Sequence, residues 1–166
     1  TIGAYYQILE DCLIAERIEP LTQSKTRKKL TKSEKYLFFD LGVRRLAAHE
    51  GTKPPRETMG VLFEQFIGLE LLRSAHIKGS GTKIRFWRDP DGPEVDWVID
   101  EEGAYTPLEV KWTENPAPGD IRHLEVFLAE YKSAKEGFLI CQVPRKTKLS
   151  DKISAFPWQS IGELFK

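Results

Sequence analysis

The spacing of apolar residues near the start of the chain predicts a helix followed by two strands and a second helix. Between residues 2 and 14 the apolar positions recur at helical intervals, namely Tyr5, Ile8, Leu9, Cys12 and Leu13. Two strand-like runs follow, RIEPLTQ and EKYLFFDLGV, and Asp40 is placed to cap the helix that continues into LGVRRLAAHE. This order is typical of the back half of a winged-helix unit. We therefore predict a partial winged-helix-like segment over residues 1–52.

The remaining residues, 53–166, predict a second domain of the α/β class. The boundary falls within GTKPPRET, which we interpret as a linker because its two prolines cannot donate backbone hydrogen bonds. The pattern then predicts a long helix over residues 57–76, the strand KIRFWRD, a hairpin over residues 92–112, a helix that Asp120 caps, and the buried strand GFLICQV. A short edge strand around residues 153–156 and a helix from about Trp158 complete the order.

The hairpin GPEVDWVIDEEGAYTPLEVKW alternates so regularly that its register is predictable. If residues 101–104 form a four-residue loop, Asp100 faces Tyr105. The apolar face then pairs Val95 with Val110, Trp97 with Leu108 and Ile99 with Thr106. The polar face pairs Asp96 with Glu109 and Glu94 with Lys111. A slip of one residue would set apolar against polar positions, so the alternation selects this register.

The pair Asp96 and Glu109 predicts a metal site. Opposed Cβ atoms in an antiparallel pair are about 4.5–5.5 Å apart, so the two carboxylates repel and burial would raise the pKa of at least one. A divalent cation between them removes this conflict, and oxygen ligands favour Mg²⁺ or Mn²⁺ over Zn²⁺. Lys111 lies on the same face, where it would polarise a water or stabilise charge on a phosphate. The alternative is a solvent-exposed polar face with a Glu94–Lys111 ion pair of at most about 1 kcal/mol.

Glu64 adds a third acid on the long helix, within the otherwise apolar stretch GVLFEQFIG. Gly60 and Gly68, four residues to each side, share its face and leave room for the sheet or a ligand. The alternative is that Glu64 is a solvent-facing acid on the polar edge of the helix.

Charge identifies one further candidate surface. The formal net charge of the whole chain is zero, but residues 25–35 carry six basic side chains against Glu34, a local net charge of +5. This loop is either a solvated connection or a phosphate or partner contact. The candidate nucleic-acid-binding residues are Lys25, Arg27, Lys28, Lys29 and Lys32.

Composition and the start of the chain limit the class of protein and the compartment that we expect. Hydrophobic residues make up 40% and charged residues 30% of the chain, which excludes a disordered tail. Cys12 and Cys141 are predicted to be buried free thiols of a reducing cytoplasm, and the lack of a CxxC or Cys/His cluster argues against zinc. No apolar run long enough to span a membrane and no signal peptide occurs. Because the chain begins at Thr1, we expect it to be a piece of a longer protein.

The motifs EVDWVI and, thirteen positions on, EVK resemble those of the PD-(D/E)xK nuclease superfamily, in which many proteins keep another acid on an upstream helix, as LFEQF does here. More narrowly, the chain resembles over its whole length the uncharacterised domain that follows an AAA-type ATPase in many prokaryotic proteins. Five motifs match in order, namely SEKYLFFDLGVRRLA, GVLFEQFIGLELL, FWRDPDGPEVDWVI, LEVKW and FPW.

The resemblance implies a mixed sheet flanked by helices and magnesium-dependent cleavage of DNA. It implies that Asp96, Glu109 and the Val110 carbonyl are metal ligands, that Lys111 is the catalytic lysine, and that Glu64 is the helix acid. Two departures are that Val95, not proline, precedes Asp96, and that the literal PD at residues 90–91 lies in the turn sequence DPDG.

The narrower resemblance also implies a partner, the ATPase module of the same longer chain. No GxxxxGK[ST] motif occurs in this sequence, so we expect no ATP site of that type in it. The alternative to a nuclease is a catalytically silent nuclease-like module that binds nucleic acid or docks the ATPase. The sequence leaves the oligomeric state open.

Overall fold

The structure is a computed structural model and describes residues 1–22, 33–51, 53–79, 81–90 and 92–165. Its helices are α1 (Ile2–Asp11), α2 (Leu41–Ala47), α3 (Met59–Lys78) and α4 (Arg122–Glu130). Its strands are β1 (Ala15–Ile18), β2 (Lys35–Phe38), β3 (Thr82–Arg88), β4 (Glu94–Glu101), β5 (Ala104–Val110), β6 (Gly137–Cys141), β7 (Thr147–Lys148) and β8 (Ile153–Pro157). Short 3₁₀ helices span Arg56–Thr58, Pro118–Ile121 and Trp158–Phe165.

Six strands form one mixed sheet in the order β3-β4-β5-β6-β8-β7. Strands β3, β4 and β5 are antiparallel, β6 and β8 continue the sheet in parallel, and β7 returns antiparallel to β8. The predicted α/β class, with a mixed sheet flanked by helices, is therefore confirmed. The predicted edge position of β8 is wrong, because the two-residue strand β7 covers it. Both β7 residues are exposed, so their sequence carries no buried-strand signal.

Both faces of the sheet are buried, one under α3 and the last 3₁₀ helix and the other under α4. Trp97 and Ile99 of β4 pack on the α3 side, whereas Val95 packs on the α4 side. The change of side follows from a β-bulge, since the register between β3 and β4 shifts between Arg85 and Trp87. The prediction that Val95 shares one apolar face with Trp97 and Ile99 is therefore wrong.

The first part of the chain is joined to the same core. Strands β1 and β2 pair antiparallel, and Ile18 and Leu37 lie in the core on the α3 side of the large sheet. Asp40 caps α2 as predicted, because its carboxylate accepts the Val43 N–H at 3.0 Å. Against the described part of the chain, α1 buries none of its ten residues. The division into units at residue 52 stays a prediction.

Two further local predictions are wrong. Asp120 lies inside a 3₁₀ turn, where it accepts the Ala117 N–H at 2.7 Å, and α4 begins only at Arg122. Cys12 and Cys141 are both free, but Cys12 is exposed because α1 has no buried face. Across the described ranges, no helix is both long enough and apolar enough to cross a bilayer.

Candidate active site

The hairpin of β4 and β5 has the predicted register. Trp97 lies opposite Leu108 and Asp100 opposite Tyr105, but a further pair, Glu101 with Ala104, shortens the loop to residues 102–103. Both loop residues have positive φ, 53° at Glu102 and 93° at Gly103, as a mirror-image two-residue turn requires. The predicted four-residue loop is therefore wrong. The register is unchanged because one residue on each side of the loop, Glu101 and Ala104, joins its strand.

The ladder ends at Trp97 and Leu108, so the predicted cross-strand pairs of Asp96 with Glu109 and of Glu94 with Lys111 are not part of it. At this end the Asp96 carboxylate accepts the Val110 N–H at 2.8 Å, in place of a ladder bond. Glu94 instead pairs with Arg88 at 3.3 Å. We call the point where β4 and β5 separate the strand fork, and define it by Asp96, Glu109, Val110 and Lys111.

Glu109 is the most buried acid of the strand fork, with 4% of its surface exposed. Its Oε1 atom lies 2.9 Å from the Lys111 ammonium. Its Oε2 atom is buried and accepts no hydrogen bond from the residues that the structure describes. Burial raises the pKa of Glu109, and the hydrogen bond and charge of Lys111 oppose that rise without cancelling it.

Asp96 carries the larger electrostatic cost. Burial raises its pKa well above the ordinary range, and the charges of Glu109 and Glu64 raise it further. The Val110 N–H and the charge of Lys35 act in the opposite direction. Three carboxylates thus lie close enough to interact, and the environment of Asp96 favours either a proton or a nearby cation.

Lys111 is partly exposed, with 43% of its side chain open to solvent. Burial alone would lower its pKa, but the hydrogen bond and charge of Glu109, together with the charges of Asp96 and Asp120, raise it above the ordinary value. Lys111 is therefore a cation at neutral pH with part of its side chain exposed to solvent.

Glu64 comes to the site from α3. Its Oε1 atom lies 3.1 Å from the ammonium of Lys35, and its main-chain carbonyl accepts the Trp97 indole N–H at 3.2 Å. The glycines around it differ in role. A Cβ at Gly68 would stand 2.5 Å from the Trp97 ring, whereas a Cβ at Gly60 would meet no atom within 4 Å. Gly68 alone thus allows the close approach of α3 to the sheet.

Lys35 is the residue that sequence reasoning missed as part of the site. It begins β2, pairs with Glu64, and lies 5.0 Å and 5.1 Å from the ring centroids of Phe86 and Trp97. In the sequence it is only the last member of a basic run. The available signal is its alternation with the buried Leu37, which places both side chains on one face of β2.

The oxygen atoms of the strand fork are suitable ligands for a hard divalent cation. Val110 donates its N–H to Asp96, while the next N–H, of Lys111, donates to Ile140 in β6 at 3.0 Å. Because the N–H and C=O of one strand residue point to the same side, the Val110 carbonyl also points toward β4. Two carboxylates and this carbonyl are the oxygen ligands that Mg²⁺ and Mn²⁺ prefer, and Glu109 Oε2 is a free acceptor.

The candidate metal ligands of the strand fork include two acidic side chains, Asp96 and Glu109, rather than three. Within the described ranges, no group of three or more His, Cys, Asp or Glu side chains is arranged to hold a metal ion. Glu64, the third nearby acid, is tied to Lys35. The predicted nucleic-acid-binding residues, Lys25, Arg27, Lys28, Lys29 and Lys32, lie outside the described residues. Their role stays a prediction.

Comparison with known proteins places this chain in a family. A family model described as "Domain of unknown function (DUF4143)" matches residues 59–161. Among solved structures, a chain of the refined half-complex from the tetradecameric assembly of Thermococcus gammatolerans McrB AAA+ hexamers with bound McrC is similar at a TM-score of 0.47 and 20% identity. The alignment covers 60% of this chain and 28% of that chain. No curated protein matches.

Proposed function

This chain belongs to the DUF4143 family, and we propose that it is a divalent-metal-dependent nuclease module that hydrolyses phosphodiester bonds in DNA. One observation carries the proposal. The buried Glu109 Oε2 atom has no hydrogen-bond partner among the described residues and belongs to the carboxylate whose charge raises the pKa of Asp96. Two interacting buried carboxylates lower the stability of the fold unless a cation or a proton compensates their charge. Carboxylates arranged in this way are typical of sites that bind a metal ion.

In this proposal Asp96, Glu109 and the Val110 carbonyl hold Mg²⁺ or Mn²⁺. The bound ion would supply Lewis-acid polarisation of a phosphate oxygen and lower the pKa of a coordinated water. The Val110 N–H fixes the orientation of the Asp96 carboxylate through their 2.8 Å hydrogen bond. The bulge in β4 and the end of the ladder separate the two strands at the strand fork.

Lys111 and the Lys35–Glu64 pair have separate roles in the proposal. Lys111 is protonated and partly exposed, so it stabilises the charge that develops on the phosphate. Lys35 neutralises Glu64 at 3.1 Å and so reduces the negative charge around Asp96. Without this pair, an approaching phosphodiester, which is an anion, would also meet the unpaired charge of Glu64.

The resemblance to the domain that follows AAA-type ATPases supports the wider context of the proposal. We propose that the ATPase module of a longer chain is the partner of this domain and controls its access to DNA. A nuclease site that depends on a second module for access to DNA requires no ATP site of its own.

The test is cleavage of supercoiled, linear and single-stranded DNA by the purified protein with Mg²⁺ or Mn²⁺. We expect cleavage by the wild type and a rate at least about 100-fold lower for Lys111→Ala, because the donor to the transition-state charge is lost. The matched control is Lys148→Ala, which removes an exposed lysine of β7 that pairs with Asp151. It should cleave like the wild type.

Equal rates for the wild type and Lys111→Ala would overturn the catalytic role of Lys111. If the wild type binds Mn²⁺ and DNA but cuts no substrate, the domain is a silent nuclease-like module. DNA affinity that falls steeply with salt would then indicate phosphate contacts.

A further inference from the structure

A cleft separates β1 from β3 on the side of the molecule away from β5. The two chain segments run parallel and meet where Pro20 lies beside Phe86, with the Leu21 N–H donating to the Phe86 carbonyl at 2.7 Å. Toward their starts, at Ala15 and Thr82, they do not pair, and both line an open cavity of about 690 Å³. We call this cavity the β1–β3 cleft. Its volume lies within the range of about 300–1,000 Å³ that is usual for ligand sites.

One wall of the cleft is the free edge of β1. The Phe39 N–H donates to the Ile14 carbonyl at 3.0 Å, so the even-numbered residues of this segment direct their backbone groups toward β2. By alternation, the N–H and C=O groups of Ala15 and Arg17 point away from β2 and into the cleft. Both residues line the cavity.

The opposite wall is the free edge of β3. The Asp89 N–H donates to the Pro93 carbonyl at 3.0 Å, on the side of β4, whereas the Phe86 carbonyl accepts from Leu21 on the side of β1. The odd-numbered residues of β3 therefore bond with β4, and the backbone groups of Thr82 and Ile84 point into the cleft. The two segments pair at the isolated bridge of Pro20 with Phe86, and β1 and β3 themselves belong to different sheets.

Between the walls lies an apolar floor. It is built from side chains of β2, α3 and β3, namely Leu37, Leu69, Leu72, Ala75 and Ile84. Most charged side chains of the rim pair with neighbours, for example Arg17 with Glu34 at 3.0 Å and Arg85 with Glu19 at 3.0 Å, whereas Lys83 makes no ion pair with the described residues. We therefore expect main-chain hydrogen bonds and apolar contacts to contribute most to recognition in the cleft.

We propose that the β1–β3 cleft binds an extended polypeptide segment of a partner protein, added as a strand between β1 and β3. Two facing strand edges present alternating N–H and C=O groups, and an extended main chain is the ligand that satisfies both edges at once. Alternate side chains of the segment face α3, so the segment is apolar at every second position. This site is separate from the strand fork and does not depend on nuclease chemistry.

The test uses amide hydrogen exchange of the wild-type protein with capped peptides of about five residues, in which Val, Leu or Phe alternates with Thr. In the free protein, the Arg17, Thr82 and Ile84 amides exchange faster than their neighbours Ile18 and Lys83. A bound peptide slows exchange at the first three. A peptide with N-methyl groups on alternate amides is the ligand control, because it keeps the side chains but loses the donors.

Two variants test the β1 edge. Arg17→Pro removes the outward N–H without touching the ladder with β2, and an edge strand tolerates proline at such a position. Arg17→Ala removes the same side chain but keeps the N–H. We expect Arg17→Ala to bind the peptide like the wild type and Arg17→Pro to bind roughly tenfold more weakly.

Failure of every peptide to bind the wild type at about 1 mM would overturn the proposal, since added strands bind more tightly than this. Equal binding of the N-methylated peptide would also overturn it, and this arm does not depend on the folding of any variant.

Discussion

At the scale of single residues, Asp96 and Glu109 are carboxylates that the fold withdraws from water and supplies with different partners. Glu109 has the ammonium of Lys111 at 2.9 Å, and Asp96 accepts the Val110 N–H at 2.8 Å. Burial raises the pKa of Asp96 well above its ordinary value, and the charges of Glu109 and Glu64 raise it further against the opposing Val110 N–H and the charge of Lys35. We therefore expect the charge of Asp96 to cost stability in the metal-free protein.

In metal-free buffer Asp96→Asn should stabilise the protein, by about 1–3 kcal/mol at neutral pH. Below the ordinary carboxyl pKa of about 4, Asp96 is protonated in both the folded and the unfolded chain and contributes nothing. As the pH rises above that value, the unfolded chain releases the proton and the folded chain retains it, so wild-type stability falls toward the raised pKa. The advantage of the variant should therefore grow with pH in urea unfolding measured from pH 4 to pH 8.

The control for this prediction is Asp100→Asn on the same strand. Asp100 pairs with Arg85 at 2.8 Å and accepts the Gly103 N–H at 3.0 Å, so its loss should destabilise by about 1–2 kcal/mol at neutral pH. If both variants destabilise equally, the unfavourable environment of Asp96 is contradicted.

At the scale of elements, the site depends on how closely α3 approaches β4. Trp97 is 1% exposed, donates to the Glu64 carbonyl, and occupies the space that a side chain at Gly68 would need. This contact holds Glu64 over the end of β4, next to Lys35 and within the electrostatic reach of Asp96. The position of the helix acid is thus set by one glycine and one buried indole.

Gly68→Ala should therefore destabilise the protein by about 1–3 kcal/mol, because its Cβ would stand 2.5 Å from the Trp97 ring. Gly60→Ala, on the same helix with open space around it, should be neutral or stabilise by up to about 1 kcal/mol. Thermal unfolding by circular dichroism measures both. Equal effects of the two alanines on stability would contradict the role given to the Trp97 contact, because only the Cβ at position 68 meets that ring.

The elements also show which features the sequence makes predictable. Alternation along β4 and β5 is strong enough to select the register, and Asp40 caps its helix by a local hydrogen bond. The bulge in β4 was not predictable, because one extra residue changes the side of Val95 without changing the local pattern. Lys35 was not predictable as a site residue either, since the packing of β2 against α3 brings it there from a distant part of the chain.

At the scale of the whole molecule, β1 and β2 contribute side chains to the hydrophobic core between α3 and the large sheet, next to the candidate site. Ile18 is 1% exposed and lies in the same core as Phe63, Ile67 and Trp97. The segment that resembles a winged helix therefore shares its packing with the sheet and contributes Lys35 to the site. We expect the described parts of both segments to unfold together.

Ile18→Ala should cost about 2–5 kcal/mol, and tryptophan fluorescence should report the loss, because all four tryptophans lie after residue 52. Ile8→Ala, at a position 55% exposed on α1, should change stability by less than about 0.5 kcal/mol. A fluorescence transition that Ile18→Ala leaves unchanged would mean that the later part of the chain folds independently of the first.

A crystal soaked in Mn²⁺ tests whether the strand fork holds a divalent cation. We expect an anomalous difference peak within about 2.0–2.6 Å of oxygen atoms of both Asp96 and Glu109. The peak should be lost in Asp96→Asn and kept in Asp100→Asn. Well-ordered carboxylates with no peak between them, or a peak that survives Asp96→Asn, would show that the strand fork is not the metal site.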